Sequence, residues 1–263
     1  MVHLLAAAAL AAATPAAPPP PAPSTAPAMF VVRDADTTIY LFGTFHALDG
    51  QSNWFSDKVR DAFEHSNELV LETLLPDGPP RPLAYGNSFR APSVTPSGSF
   101  LATTRMAINA GRSQGMQVDN GADMVLRHVA EADGKPVAGL ETLEFQLNMF
   151  NRMPAVAAHP ARAGQPASQS LDSLSRAMAE MQAAWKRGDQ SVFVRMLDQL
   201  RGNAPDTYRM MFTERNTRWA EWIKARMQAP GTVFVAVGAG HLAGKDSVLV
   251  RLAERGVESQ RVN

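Results

Sequence analysis

The chain has 263 residues, with 25 Lys plus Arg against 25 Asp plus Glu, 45% apolar residues, 19 prolines, six histidines and no cysteine. A net charge of zero removes the electrostatic case for binding nucleic acid or an anionic membrane surface. The lack of cysteine excludes a disulfide framework, a zinc finger, a thiol nucleophile and a cysteine-held iron–sulfur cluster, so any metal must be held by His and carboxylates.

Residues 1–28 carry no charged side chain, and twelve of them are alanine and seven proline. The apolar run over residues 4–13 has the length of a secretory h-region, with small residues after it for cleavage. It is too short to span a bilayer. The expectation is an exported, periplasmic protein whose residues 1–28 are a signal peptide and an extended Ala/Pro-rich spacer, followed by one domain over residues 29–263.

In that domain, residues 29–32 and 38–42 are β-formers around Asp34-Ala35-Asp36, which predicts a short hairpin ended by Gly43. Residues 54–65 read as a helix with Ser56 placed as cap and Val59, Ala62 and Phe63 on its buried side, and residues 68–71 as a strand. The Pro- and Gly-rich residues 76–99 read as a loop. Helices are predicted over residues 100–110 and 122–132, a short strand over 135–140, a helix over 144–153, and an irregular stretch over 154–170. From residue 171 to 228 the pattern is helical, with breaks near Gly188 and at residues 202–205, giving three helices. Residues 232–237 are continuously apolar and β-branched, as in a strand buried on both faces. A helix over 246–255 and a strand over 257–262 close the chain. Strands at both ends with helices between predict an α/β domain with a mixed, largely parallel central sheet, flanking helices and a helical insertion over about residues 171–228.

Two pairs of short motifs close the predicted strands. Gly43-Thr44-Phe45-His46 follows residues 39–42, and Gly238-Ala239-Gly240-His241 follows residues 233–237. Glycine there lets the backbone turn sharply, and the histidine three residues on projects over the strand ends, where α/β sheets bind ligands. Leu71-Glu72-Thr73-Leu74 and Leu140-Glu141-Thr142-Leu143 repeat one tetrapeptide at two further strand ends. An ionised carboxylate after buried aliphatic residues must find a partner or reach the mouth of the sheet. For Glu141, capping of the next helix is the competing structural role. His65, His128 and His159 are read as structural rings.

Two His and two Glu suit a hydrolytic centre holding Zn, Mn, Co or Fe, at which bound water becomes a nucleophile near neutral pH. A metal-free site with His as general base and Glu as acid uses the same residues, and the spacing does not separate the two. Glu214-Arg215-Asn216 with Arg218, Trp219 and Trp222 lies on a predicted helix. Arg215 and Asn216 either reach back to bind a substrate carboxylate or carbonyl, or belong to a helix with a Trp core face and a solvated Arg face. Met178, Met181, Trp185, Met196, Met210 and Met211 form a soft apolar set that reads mostly as core, though a groove for a peptide or lipid chain would use the same residues.

At Tyr40-Leu41-Phe42-Gly43-Thr44-Phe45-His46, Glu72, Gly139-Leu140-Glu141-Thr142 with Gln146, Glu214-Arg215-Asn216 with Trp219, and Val237-Gly238-Ala239-Gly240-His241-Leu242, the chain resembles the TraB/GumN family. That family is grouped with the Wnt-inactivating TIKI proteases of animals and, more distantly, with erythromycin esterases and haem-binding ChaN-like proteins. The resemblance runs in family order over essentially the whole of residues 30–263. It implies an α/β fold with paired Gly-x-x-His motifs and acidic residues at one site, and for the animal members a Mn- or Co-dependent peptidase activity. Residues 76–99 and 154–170 match no family motif. The resulting expectation is a metal-dependent hydrolase of peptide or amide bonds. His46, His241 and Glu72 would be its metal ligands and Glu141 a further ligand or general base, with Arg215 and Asn216 contacting the substrate or transition state. Its partner would be a peptide or small-molecule substrate, with no nucleic acid and no stable membrane span. A haem- or metal-binding protein without turnover and a metal-free esterase-like hydrolase are the alternatives.

Overall fold

Apolar β-forming residues at the start of the domain build two adjacent strands, β1 (Met29–Arg33) and β2 (Thr37–Thr44), joined through an Asp34 turn and paired antiparallel. The computed structural model describes residues 26–51, 53–74, 109–153 and 167–263. After β2 come α1 (Asp57–Glu64), β3 (Glu68–Thr73), α2 (Ala122–Ala132), β4 (Val137–Glu141) and α3 (Leu143–Arg152). The helical region comprises α4 (Ala167–Lys186), α5 (Ser191–Asn203), the single turn α6 (Pro205–Tyr208), a π-helical turn over Arg209–Thr213, and α7 (Glu214–Arg226). The chain returns to the sheet as β5 (Gly231–Gly238), passes through a 3-10 turn (Ala239–Leu242) and α8 (Val248–Ala253), and ends with β6 (Gln260–Arg261).

The six strands lie in the order β4-β3-β5-β2-β1-β6. The four strands β4, β3, β5 and β2 are parallel, and β1 runs against β2 and β6. β5 therefore has a partner on both sides and helices over both faces, which is why residues 233–238 are all buried and alternation is absent from them. Ile39, Leu41, Val70, Val233, Val235 and Val237 face one layer, closed by Trp219, Ile223 and Leu252 of α7 and α8. Phe42, Leu69, Leu71, Phe234 and Ala236 face the other, closed by Phe63, Leu126, Trp185 and Phe193 from α1, α2, α4 and α5. The result is a mixed, largely parallel sheet between helical layers, in agreement with the expected α/β class.

Several boundaries differ from the sequence expectation. Gly43 does not end β2; it pairs with Val237, and the strand continues to Thr44 because β5 supplies a parallel neighbour that far. The helix expected over 246–255 is shortened to Val248–Ala253, since Ser247 takes the cap position and accepts from Val250 N at 3.3 Å. The last strand is only Gln260–Arg261, and α4 already begins at Ala167 within the stretch expected to be irregular. The expected loop over 76–99 lies outside the described residues, as does most of the helix expected over 100–110, of which only residues 109 and 110 are described, as helix. Among the described residues no helix is long and apolar enough to cross a membrane.

Candidate active site at the strand ends

Parallel strands bring their C-terminal ends to one edge, so the residues that leave β2, β3, β4 and β5 meet there. His46 follows β2, Glu72 is the penultimate residue of β3, Glu141 the last of β4, and His241 follows β5. At the centre is Gly238. A Cβ built on it would lie 3.2 Å from His46 Nε2, 3.6 Å from Glu72 Oε2 and 3.6 Å from His241 Cδ2. Glycine here keeps open the space on which the two imidazoles and the carboxylate converge.

Packing of the surrounding helices fixes each group. The end of β2 and the loop after it are held to α4 by Trp185 Nε1 donating to Gly43 O at 2.7 Å and by Lys186 Nζ and Gln182 Nε2 donating to Asp49 at 2.8 and 3.0 Å. The start of α2 docks on the same loop: Ala122 N donates to Phe45 O at 3.0 Å, and a Cβ on Gly121 would fall 2.5 Å from His46 O. This contact delivers Asp123 to His46, with Oδ1 3.2 Å from Nδ1. It is an ion-pair contact off the hydrogen-bond direction, and Asp123 Oδ1 is left without a hydrogen-bond partner. Asp123 pushes the His46 pKa up to about 9. The ring side chain is 58% exposed, so solvent screens much of that interaction.

His241 is held differently. Its ring is 5% exposed and lies between Phe212 and Trp219, with centroids 4.8 and 4.4 Å away. Asn216 Nδ2 donates to Asp246 O at 2.7 Å, which directs Asn216 Oδ1 at His241 Nδ1, 2.6 Å away. The amide oxygen accepts, so Nδ1 carries the proton and the Nε2 lone pair faces Arg215 Nη1, which donates to it at 3.4 Å. Burial, helped by the charge of Arg215, pushes the His241 pKa down to about 3 despite Glu72. This imidazole is neutral at physiological pH.

Arg215 occupies the space between the two glutamates and is 2% exposed. Its Nε donates to both Glu141 oxygens at 3.0 Å, its Nη2 to Glu141 Oε2 at 2.8 Å and to Glu72 Oε1, and its Nη1 lies 3.4 Å from His241 Nε2. The π turn just before α7 bears on this placement: Met211 O accepts from Arg215's own Nη1 at 3.4 Å, and π turns recur at functional sites. Burial opposes ionisation of Glu72, but Arg215, with His241 and His46, outweighs it and holds the carboxyl well below the usual carboxylate range. Glu72 Oε2 accepts from Gly238 N at 3.3 Å and lies 3.9 Å from His241 Nε2.

Glu141 is saturated with donors. Besides Arg215 it accepts from Trp219 Nε1 at 3.2 Å, Arg218 Nη2 at 3.3 Å and Gln146 Nε2 at 3.5 Å. The competing role considered for it, capping α3, falls instead to Thr142, whose Oγ1 accepts from Phe145 N at 3.1 Å. Thus all six residues singled out in the sequence converge, but in two tiers. His46, His241 and Glu72 face the open space over Gly238, Arg215 and Glu141 form the charged support behind Glu72, and Asn216 acts on His241. His65 is exposed and its Nδ1 contacts Asp61 O of its own helix at 2.7 Å, as expected of a structural ring, whereas His159 lies outside the described residues.

Sequence reasoning missed Asp123. An Asp in the first turn of a helix reads as a favourable dipole partner, and only docking of α2 on Phe45 and His46 reveals its other contact. Two further buried hydroxyls, Thr44 Oγ1 opposite Gly238 and Thr73 Oγ1 opposite Glu141, have no hydrogen-bond partner. Among the described residues no three His, Asp or Glu side chains stand in a metal-holding arrangement.

The model of the TraB/PrgY/gumN family matches residues 28–99 and 87–261, and the chain belongs to that family. No curated protein and no solved structure gives a significant match.

Proposed function

We propose, on the premise of TraB/PrgY/gumN membership, that this site is a metal-dependent hydrolase centre acting on peptide or amide bonds. His46, His241 and Glu72 do not stand in a metal-holding arrangement as they are, and would hold one divalent ion of the Mn, Co, Zn or Fe class once Arg215 gives up its contacts to Glu72 and His241 Nε2. The observation that carries this reading is their convergence over Gly238, with the outer nitrogen of each ring turned to Asp123 or Asn216, the inner one of His46 toward the glycine and that of His241 toward Arg215 and Glu72. Imidazole and carboxylate donors suit these ions, and a polar partner on the far nitrogen is the usual support of a ligating histidine. A bound ion would supply Lewis acidity and a water nucleophile near neutral pH.

The chain's own residues then have separable tasks. Asn216 keeps the His241 lone pair on Nε2, and Asp123 orients His46. Arg215 places a buried positive charge behind Glu72, which keeps that carboxyl ionised. Glu141 holds the guanidinium in that position. The apolar run over residues 4–13 supports export to the periplasm, which N-terminal sequencing of the mature protein tests.

Arg215 also favours a second reading, a metal-free hydrolase, because it already neutralises the two glutamates. With its pKa raised by Asp123, His46 would then serve as general acid rather than as the base expected from the sequence. Elemental analysis separates the two. Near-stoichiometric metal retained in His65→Ala and lost in His46→Ala and His241→Ala supports the metal centre. Equal metal content in all three sinks the ligand assignment, and hydrolysis that persists after exhaustive chelation selects the metal-free reading.

A further inference from the structure

We propose that Arg218, set over the Phe145 ring beside Glu141, is a carboxylate-binding subsite that selects substrates carrying a negative group. The inference rests on the hydrolase reading and adds the substrate class to it. Arg215 and Arg218 are three residues apart on α7, yet their side chains are 2% and 43% exposed. Arg215 spends its donors on the buried carboxylates. Arg218 spends one, from Nη2 to Glu141 Oε1 at 3.3 Å, on an oxygen that already accepts from Arg215 Nε at 3.0 Å and Trp219 Nε1 at 3.2 Å.

The acidic residues within helical reach of Arg218 are committed elsewhere. Glu214, four residues before it, pairs with Arg209, and Glu221, three residues after it, pairs with Arg255 at 3.1 Å. Among the described residues Glu141 is thus the one carboxylate paired with Arg218, and it is oversupplied with donors. The guanidinium carbon sits 4.7 Å from the centre of the Phe145 ring, itself 37% exposed. Stacking on an aromatic face fixes the guanidinium plane while leaving its edge N–H groups free, and that edge pairs with a carboxylate through two parallel hydrogen bonds. Arg218 bridges solvent and the buried cluster through Glu141, so an anionic group docked on it would lie on the β4 side of the site, next to the Arg215–Glu141 tier.

The carboxylate has two sources, a free peptide C-terminus or an acidic side chain. Calorimetric binding of three probes to the full chain separates them: N-acetyl-Ala-Ala-Phe as free acid, the same peptide as C-terminal amide, and N-acetyl-Ala-Ala-Glu amide. The expected result is that at least one carboxylate-bearing probe binds about tenfold or more tightly than the Phe amide. Arg218→Gln should remove that difference, and Phe145→Leu, which leaves the charge in place, should reduce it. Circular dichroism and thermal melting confirm that each variant is folded. Equal affinities for all three probes, no binding up to millimolar concentration, or discrimination that persists in Arg218→Gln would overturn the proposal. Binding with discrimination but no cleavage of any probe would count against the hydrolase reading and leave the subsite standing.

Discussion

Replacing Arg215 with methionine tests the electrostatic core of the site most directly. The substitution keeps an unbranched apolar chain but removes the cation between Glu72 and Glu141, whose side chains are 17% and 4% exposed. Breaking a buried pair by removing one partner typically costs about 3–5 kcal/mol, because the remaining charge is stranded. Here neither carboxylate is fully stranded: Glu141 keeps Trp219, Arg218 and Gln146, and Glu72 keeps the Gly238 amide and Gln146. The expected loss at pH 7 is therefore at the lower end of that range, about 3 kcal/mol. The sign of the pH dependence follows from Glu72. In the wild type its depressed pKa contributes stability that is present above the ordinary value of 4.5 and is lost as pH falls below it. Without Arg215, burial dominates and raises the Glu72 pKa, so the variant loses stability as pH rises from that value. The gap between the two proteins should narrow steadily from pH 7 toward pH 4.5. Urea denaturation followed by tryptophan fluorescence at several pH values measures it, and Arg215→Met with Glu141→Gln should recover part of the loss through their coupling. A loss under about 1 kcal/mol, or stability curves parallel in pH, would refute the idea of a desolvated Arg–Glu–Glu cluster.

Asp123→Asn should lower the His46 pKa measured by NMR on chelator-treated protein, since the Asp123 charge is what raises it. The stability that this pair contributes below pH 6.5 and loses as pH rises toward about 9 should disappear as well. An unchanged His46 titration would show that the 3.2 Å contact is not maintained in solution. Gly238→Ala should fold, because the backbone there, φ −50° and ψ 134°, suits any residue, and its unfolding free energy should change by no more than about 1 kcal/mol. The new methyl group fills the space between His46, Glu72 and His241, so metal content and hydrolysis should fall sharply. A variant with wild-type metal content and activity would move the site away from Gly238.

The site's outline is legible in the sequence because its parts are local. A glycine after a run of β-formers, a histidine three residues later and a glutamate closing an aliphatic strand are each fixed by near neighbours in the chain. Parallel pairing then sends all four strand ends to one edge. The helical residues were less readable. Arg215 and Asn216 fit a solvated helix face as well as a site until α7 is seen to pack against the ends of β4 and β5, and the Asp123 contact required α2 to dock on the loop after β2. Gly43 misled in the opposite direction, since a residue that usually stops a strand is carried along when a parallel neighbour continues to bond it.

Composition and local pattern alone determined that the site is built from His and Glu without cysteine, that these residues stand at strand ends, and that the domain is α/β. Which cation neutralises which carboxylate was decided only by the fold. Arg215 lies 143 residues from Glu72 and 74 from Glu141 in sequence, and β5, near the end of the chain, must insert between β2 and β3 before His241 can meet His46. The physical reason is the range of the forces involved. Strand propensity and turn chemistry act over a few residues, whereas a charge in a buried site is stabilised by whatever partner the completed packing brings within a hydrogen bond's length.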